Sequence, residues 1–387
     1  MDSFRIDVPQ HDLEDLRRRL DATRWPADGP GEDWERGVPV RYLRDLAEYW
    51  GTRFDWRAAE RELNAVPQFT TEIDGATVHF VHARSPEPGA RPLLLTHSWP
   101  GSVVEFLDVI GPLTDPRSHG GDPADAFHVV APSIPGHGFS GPPAGPGWGV
   151  EKVAAAWAEL MAGLGYDGYF TGGGDWGSLI SLQLGRIDAE HVLGAHVSMV
   201  LTTPSGDPAE LAGLDATDGA RLAAFGHFDA VGSGYMKIQS TRPDTVSFGL
   251  ADSPTGQLAW VVEKFQEWNT SAKVPEDVVT RDRLLTNASI YWLTATGGSA
   301  AQMYYESAAH LGALFTPGVE LPPVEVPIAV AAFGEDPAAP IRAFAERDHP
   351  TIVRWTEIER GGHFGALERP DDFVADVRAF ARQVCGS

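Results

Sequence analysis

A doubly wound α/β fold with a mostly parallel sheet is predicted by three features of this sequence. Short apolar runs that end in glycine- and proline-rich loops alternate with helical stretches over residues 69–203, and strands resume after 321. Residues 204–320 break that rhythm with helices, loops and several aromatics, as an inserted cap would. The segment Gly172-Gly173-Gly174-Asp175-Trp176-Gly177 lies between an apolar stretch and a helix. Small residues two positions to either side of a central residue permit a strained strand-to-helix turn. Strand-helix alternation of this kind builds parallel sheets with helices on both faces.

Residues 1–68 read as a helical, surface-hugging meander. Leu13, Leu16 and Leu20 recur at helical spacing after Pro9, with Arg17, Arg18 and Arg19 largely on the other face. A Pro/Gly/Asp-rich loop over 26–37 separates this helix from a second at 42–50, and neither has enough apolar surface to stand alone. Strands are expected at 69–73 and 76–81, joined at Asp74-Gly75, a strong two-residue hairpin signal. The apolar runs at 92–95 and 128–131 suit strands buried on both faces. An alanine-rich helix at 153–164, a strand leading into the turn at 172–177 and a strand at 192–200 complete the first part of the core. After the cap come strands at 327–333 and 351–355, then a closing helix at 371–383; the second part of the core spans 321–387.

Composition narrows the function. The 387 residues carry 54 acids against 30 bases, a formal charge of −24 that repels nucleic acid and anionic membrane surfaces alike. The single cysteine, Cys385, allows no intrachain disulfide. No run reaches the roughly 18 apolar residues of a membrane span, and Met1-Asp2-Ser3-Phe4-Arg5 is no basic leader. The expectation is a soluble, cytoplasmic protein, with a homodimer as an open option.

The turn at 172–177 resembles the nucleophile elbow of α/β-hydrolases, with Asp175 where a serine is usual. A carboxylate that attacks carbon makes an alkyl ester, so the expected substrate has an electrophilic sp³ carbon, such as an epoxide or an alkyl halide. In that fold the nucleophile precedes the acid, which precedes the histidine, each on a loop after a strand. Gly334-Glu335-Asp336 follows the strand at 327–333, and Gly361-Gly362-His363-Phe364 precedes the closing helix. His363 is the candidate base for the water that hydrolyses the ester; Asp336 is the preferred acid and Glu335 the alternative. After the strand at 92–95 comes His97-Ser98-Trp99-Pro100-Gly101-Ser102. Its place suits an oxyanion hole built from the peptide N–H groups of Trp99 and Trp176, with Pro100 restricting the backbone of Trp99. His97 reads as a structural hydrogen-bonder, and the loop 135–140 as architectural.

Together, the stretches at 97–102, 173–177 and 360–364 resemble the epoxide hydrolases of the microsomal type, and the helical N-terminal region resembles that family's meander. The resemblance spans essentially the whole chain. It implies an α/β-hydrolase core, no cofactor or metal, and a cap carrying two tyrosines that hold the epoxide oxygen. The first aligns with Tyr235 in Gly234-Tyr235-Met236; the second aligns with Tyr304, with Tyr305 in reserve. Phenols with a pKa near ~10 suit donation to an opening epoxide, because an alkoxide is a poor leaving group at neutral pH. Aromatics at Trp99, Trp176, Trp260, Trp292 and Phe139 suggest a bulky apolar or aryl epoxide, with Phe139 and Tyr305 as candidate pocket residues. Similar bacterial proteins often serve natural-product pathways, enediyne assembly among them. Two departures stand out: Ser98 replaces the family's common glycine, and the membrane anchor of animal members is missing.

The implied reaction turns an epoxide and water into a vicinal diol. A haloalkane or haloacid dehalogenase is the nearest rival, and it would need Trp or Asn halide donors where the phenols stand. A non-catalytic ligand-binding member would typically lack a residue of the triad, and Asp175, His363 and an acid are all present.

Overall fold

The computed structural model describes residues 1–29, 33–316 and 321–386, so part of the loop expected at 26–37 and the expected end of the cap at 320 lie outside the described residues. The strands are β1 (Asp2–Phe4), β2 (Gln68–Ile73), β3 (Ala76–Ala83), β4 (Arg91–Thr96), β5 (Phe127–Pro132), β6 (Tyr169–Gly173), β7 (Val192–Val197), β8 (Ile328–Phe333) and β9 (Ile352–Ile358). They form one sheet in the order β1-β2-β3-β5-β4-β6-β7-β8-β9. β1 to β3 and the β3–β5 pair are antiparallel, whereas every pair from β5 through β9 is parallel. Asp74 and Gly75 both take positive φ, 47° and 75°, which is the backbone a tight two-residue hairpin requires. β6 and β8 are buried along their whole length, as their apolar runs demand.

The N-terminal region differs from the all-helical expectation at its very start. Asp2–Phe4 pairs with β2 and extends the sheet by one short edge strand. Its helices follow: α1 (Gln10–Asp21), α2 (Val40–Thr52) and α3 (Trp56–Leu63). Leu13, Leu16 and Leu20 are buried, as their spacing predicts. The core helices α4 (Leu107–Thr114), α5 (Val150–Gly163) and α6 (Trp176–Ile187) come next. The cap region holds α7 (Pro208–Ala212), α8 (Ala216–His227), α9 (Gly234–Thr241), α10 (Pro243–Asp252), α11 (Pro254–Glu267), α12 (Arg281–Leu293), α13 (Gly297–Glu306) and α14 (Ala308–Leu314). The core then ends with α15 (Arg342–Asp348), α16 (Gly365–Glu368) and α17 (Pro370–Cys385). No helix among the described residues is long and apolar enough to cross a membrane.

The meander helices find their missing partner surface in the cap region. Trp50 is buried and donates its indole N–H to Ser289 Oγ on α12 at 2.9 Å. Tyr42 and Tyr49 donate to Glu276 and Asp282, each at 2.8 Å. The strand order reverses between β5, β4 and β6, which opens a crevice beyond their carboxyl ends. Leu95 pairs with Gly172 and Thr96 with Gly173, so the loops that leave β4 and β6 emerge side by side.

Three histidines, His79, His97 and His137, are fully buried. His79 lies between Gln68 Oε1 and Ser133 Oγ, both at 2.9 Å, and the peptide N–H of Ile134 donates to His97 Nε2 at 3.1 Å. Burial lowers the pKa of His79 and His137 to about 3 and that of His97 to about 4. In the unfolded chain each titrates near ~6.5, so acidification protonates the unfolded state first. Stability is therefore expected to fall from pH 6.5 towards pH 4, by up to about 1.4 kcal/mol per pH unit for each histidine. Urea unfolding at several pH values checks this: a lower midpoint at acidic pH is expected, with a flatter dependence in His79→Gln. A midpoint that does not move between pH 6.5 and 5 would contradict it.

Candidate active site

The site begins with the backbone at Asp175, whose φ of 49° and ψ of −122° lie in a region that side-chain-bearing residues rarely adopt. The glycines around it exist for space. A Cβ at Gly173 would lie 2.1 Å from the Thr96 carbonyl oxygen, and a Cβ at Gly177 would lie 2.0 Å from the same atom. The chain can therefore double back against β4 only with glycine at both positions. At the turn, Asp175 stands before the first residue of α6, so the Trp176 peptide N–H lies in a helix's first turn, where it has no intrahelical acceptor. From the neighbouring loop the Trp99 N–H donates to Asp175 Oδ1 at 3.0 Å.

On the other side of Asp175, His363 Nε2 lies 3.4 Å from Oδ2, and His363 Nδ1 is 3.0 Å from Asp336 Oδ2. The loop holding the imidazole is tightly packed: the His363 N–H donates to the Trp268 carbonyl at 3.0 Å, and a Cβ at Gly362 would lie 2.5 Å from that oxygen. Glu335 turns away and accepts from the Gly361 N–H at 2.8 Å and from Arg360 at 3.2 Å. Burial works against a charged His363, yet the Asp336 charge, the hydrogen bond to Asp336 and the nearby Asp175 carboxylate outweigh it and raise its pKa well above 6.5.

Tyr235 on α9 and Tyr304 on α13 meet above the elbow. Their ring centroids are 5.7 Å apart, Tyr304 lies 4.7 Å from the Trp176 ring, and Tyr235 stacks on Trp99 at 5.2 Å. Burial and then the Asp175 charge push Tyr235 well above the ordinary phenol range; burial, then Tyr235 and Asp175, do the same for Tyr304. Both phenols therefore keep their protons at neutral pH. Among the described residues, the Tyr304 hydroxyl and the Trp176 and Trp268 indole N–H groups are buried without hydrogen-bond partners.

These groups line a cavity of about 370 Å³ whose remaining wall is mostly apolar, including Leu179, Met199, Leu201, Phe225, Phe228 and Met236. Asp175, Trp176, Tyr235, Tyr304, Asp336 and His363 all face it. Phe139 does not: it packs on Phe4 of β1 at 5.6 Å and on His79 at 5.2 Å, on the edge of the sheet. Tyr305 does not either, because it is one residue further round α13 and points outward, 53% exposed. Trp260 donates to Gln239 and Trp292 lies beneath Arg19, both outside the cavity lining. Among the described residues, no cluster of three or more histidine, cysteine or carboxylate side chains could hold a metal ion.

With this geometry in hand, likeness to known proteins decides the family. Residues 1–106 match the family model described as epoxide hydrolase N terminus, and residues 91–228 match that for the alpha/beta hydrolase fold. A protein of Stigmatella aurantiaca named as an epoxide hydrolase is 45% identical over 98% of this chain and 84% of its own length. The chain belongs to the epoxide hydrolase family. Epoxide hydrolase 1 of Sus scrofa is 33% identical over 97% of this epoxide hydrolase and 87% of its own length. The crystal structure of the juvenile hormone epoxide hydrolase of Bombyx mori superposes with a TM-score of 0.90 at 31% identity, covering 100% of this chain and 95% of that one.

Sequence reasoning missed Trp268, Phe225, Phe228 and Phe315, which line the cavity of this epoxide hydrolase. Aromatics inside helical stretches carry no mark of which way they face until the helices are docked. The glycine geometry makes a direct prediction. Gly177→Ala drives a methyl group into the Thr96 carbonyl and should cost about 1–3 kcal/mol of stability, together with most of the activity. Denaturant unfolding and diol assays check it, and a variant as stable and active as the parent would contradict the close-approach account.

Proposed function

We propose that this epoxide hydrolase opens an apolar or aryl epoxide through a covalent ester on Asp175. The observation that carries the proposal is the division of labour around that carboxylate. Oδ1 accepts from the Trp99 N–H, Oδ2 lies 3.4 Å from His363 Nε2, and Asp175 lines the cavity. Oδ2 attacks an oxirane carbon from behind, in line with the C–O bond that breaks. Tyr235 and Tyr304 hold the departing oxygen, and one of them gives it a proton. Both phenols are protonated at neutral pH, so each can donate as charge develops on the substrate oxygen.

Ester formation removes the Asp175 charge. The Asp175 carboxylate is one of the two that favour the imidazolium form of His363, so its loss shifts the histidine toward the neutral imidazole, the form that can accept a proton from water. His363, oriented by Asp336, then takes a proton from water as the hydroxide oxygen adds to the Asp175 carbonyl carbon. The resulting oxyanion lies on the Trp99 and Trp176 N–H groups. Collapse of the intermediate expels the diol, whose leaving oxygen takes the proton from His363, and the proton left on the Asp175 carboxyl passes to the tyrosinate formed during ring opening, which restores both the carboxylate and the phenol. The apolar cavity walls favour a neutral, hydrophobic substrate.

Replacement of the base separates the two half-reactions. His363→Gln should form the ester normally but hydrolyse it about 10²–10⁴-fold more slowly. Intact-protein mass spectrometry after exposure to styrene oxide should then show one substrate adduct, located on the peptide containing Asp175 and lost in Asp175→Ala. A folded His363→Gln protein that never acquires an adduct would overturn the proposal.

A further inference from the structure

Glu105 is a buried carboxylate that the reaction above does not use. It lies on a single 3₁₀ turn, Val103–Phe106, just after the oxyanion loop, and is 4% exposed. Both of its oxygens go to one residue: Oε1 accepts from the Ser98 N–H at 3.0 Å, and Oε2 accepts from the Ser98 hydroxyl at 2.7 Å. Space for it comes from Gly101, where a Cβ would lie 1.7 Å from Glu105 Oε1. The carboxylate thus occupies the volume in which any other residue at 101 would place its side chain. The Ser98 hydroxyl supplies the second of the two bonds.

The loop's carbonyl groups are held from the opposite element. Asn287 on α12 donates to the Pro100 carbonyl and Tyr291 to the Gly101 carbonyl, each at 2.7 Å, while the Ser102 hydroxyl donates to Asn287 Oδ1 at 2.7 Å. Helix α12 therefore fixes the carbonyl side of the loop and Glu105 fixes the amide side. The residue between these two sets of anchors is Trp99, whose N–H meets Asp175. Burial pushes the Glu105 carboxyl up to about 7, and a polar group that only filled space would be replaced at a gain by an apolar side chain.

We propose that Glu105 is a positioning residue of the oxyanion hole, locking Ser98 from the space beside Gly101 so that the Trp99 N–H points at Asp175. The proposal rests on the aspartyl-ester mechanism and adds to it a residue that acts through the loop. Its effect belongs chiefly to the second half-reaction, where negative charge develops on the Asp175 carbonyl oxygen.

Single-turnover kinetics with styrene oxide test it, with ester formation and ester decay followed separately by rapid quench and intact-protein mass spectrometry. Glu105→Ala should slow ester decay about 10–100-fold while slowing ester formation much less, so that the ester accumulates during turnover. Gly101→Ala, which displaces the carboxylate without removing it, should reproduce that split. Ser98→Gly, which keeps the N–H bond, should fall in between, and Glu105→Gln should recover most of the loss because its amide oxygen still accepts from the Ser98 N–H. Ester decay at the parental rate in both Glu105→Ala and Gly101→Ala would overturn the proposal. So would an equal slowing of both half-reactions, the mark of a merely structural role. Absence of ester in every protein, His363→Gln included, would instead overturn the mechanism beneath it.

Discussion

Two strands of this protein approach so closely that a single carbonyl, that of Thr96, fills the space left open by Gly173 and Gly177. The chemistry depends on that approach. It forces the chain after β6 into the positive-φ turn that lifts Asp175 out of the sheet, and it brings the loop after β4 within one hydrogen bond of the carboxylate. A larger residue at either glycine would separate the Asp175 carboxylate from the Trp99 N–H. The strain at Asp175 is local, and it is held by buried strands on both sides and by the first turn of α6.

Charge is arranged around the same point. Asp336 and Asp175 bracket His363 inside a mostly apolar cavity, so the histidine's protonation follows the state of Asp175. The phenols opposite are held protonated by burial. The cap does more than cover this arrangement. Its helices bring both phenols, the Trp268 carbonyl that accepts from the His363 N–H, and the α12 side chains that grip the loop after β4. The meander helices in turn brace α12 through Trp50.

Much of this architecture was legible in the sequence because it is written in local patterns. Glycines at fixed offsets, apolar runs of strand length, and the order of aspartate, acid and histidine each follow from a short-range requirement. The strand at 192–200 ends early, at Val197, because the Ser198 and Met199 N–H groups turn to Gly173 and Ser178 beside the elbow. What local pattern could not reveal was direction and docking. Phe139 follows a glycine-rich loop near the site, yet it packs against Phe4 on a three-residue edge strand too short to show any periodicity. Tyr304 and Tyr305 are adjacent in sequence, and only the roll of α13 separates the buried ring from the exposed one. The choice between Glu335 and Asp336 as partner of His363 likewise depends on which way two neighbouring side chains leave one loop. Glu105 had no signal at all, because its meaning comes from a missing side chain at Gly101.

The central claim, that the new oxygen of the diol comes first from Asp175 and only later from water, has a direct test. A single turnover is run in ¹⁸O-labelled water with enzyme in excess over epoxide. The account predicts an unlabelled diol in that turnover, one ¹⁸O retained in the peptide containing Asp175, and label in the diol only in later turnovers. Label in the diol of the first turnover, with none in the enzyme, would mean that water attacks the epoxide directly and would contradict the covalent mechanism.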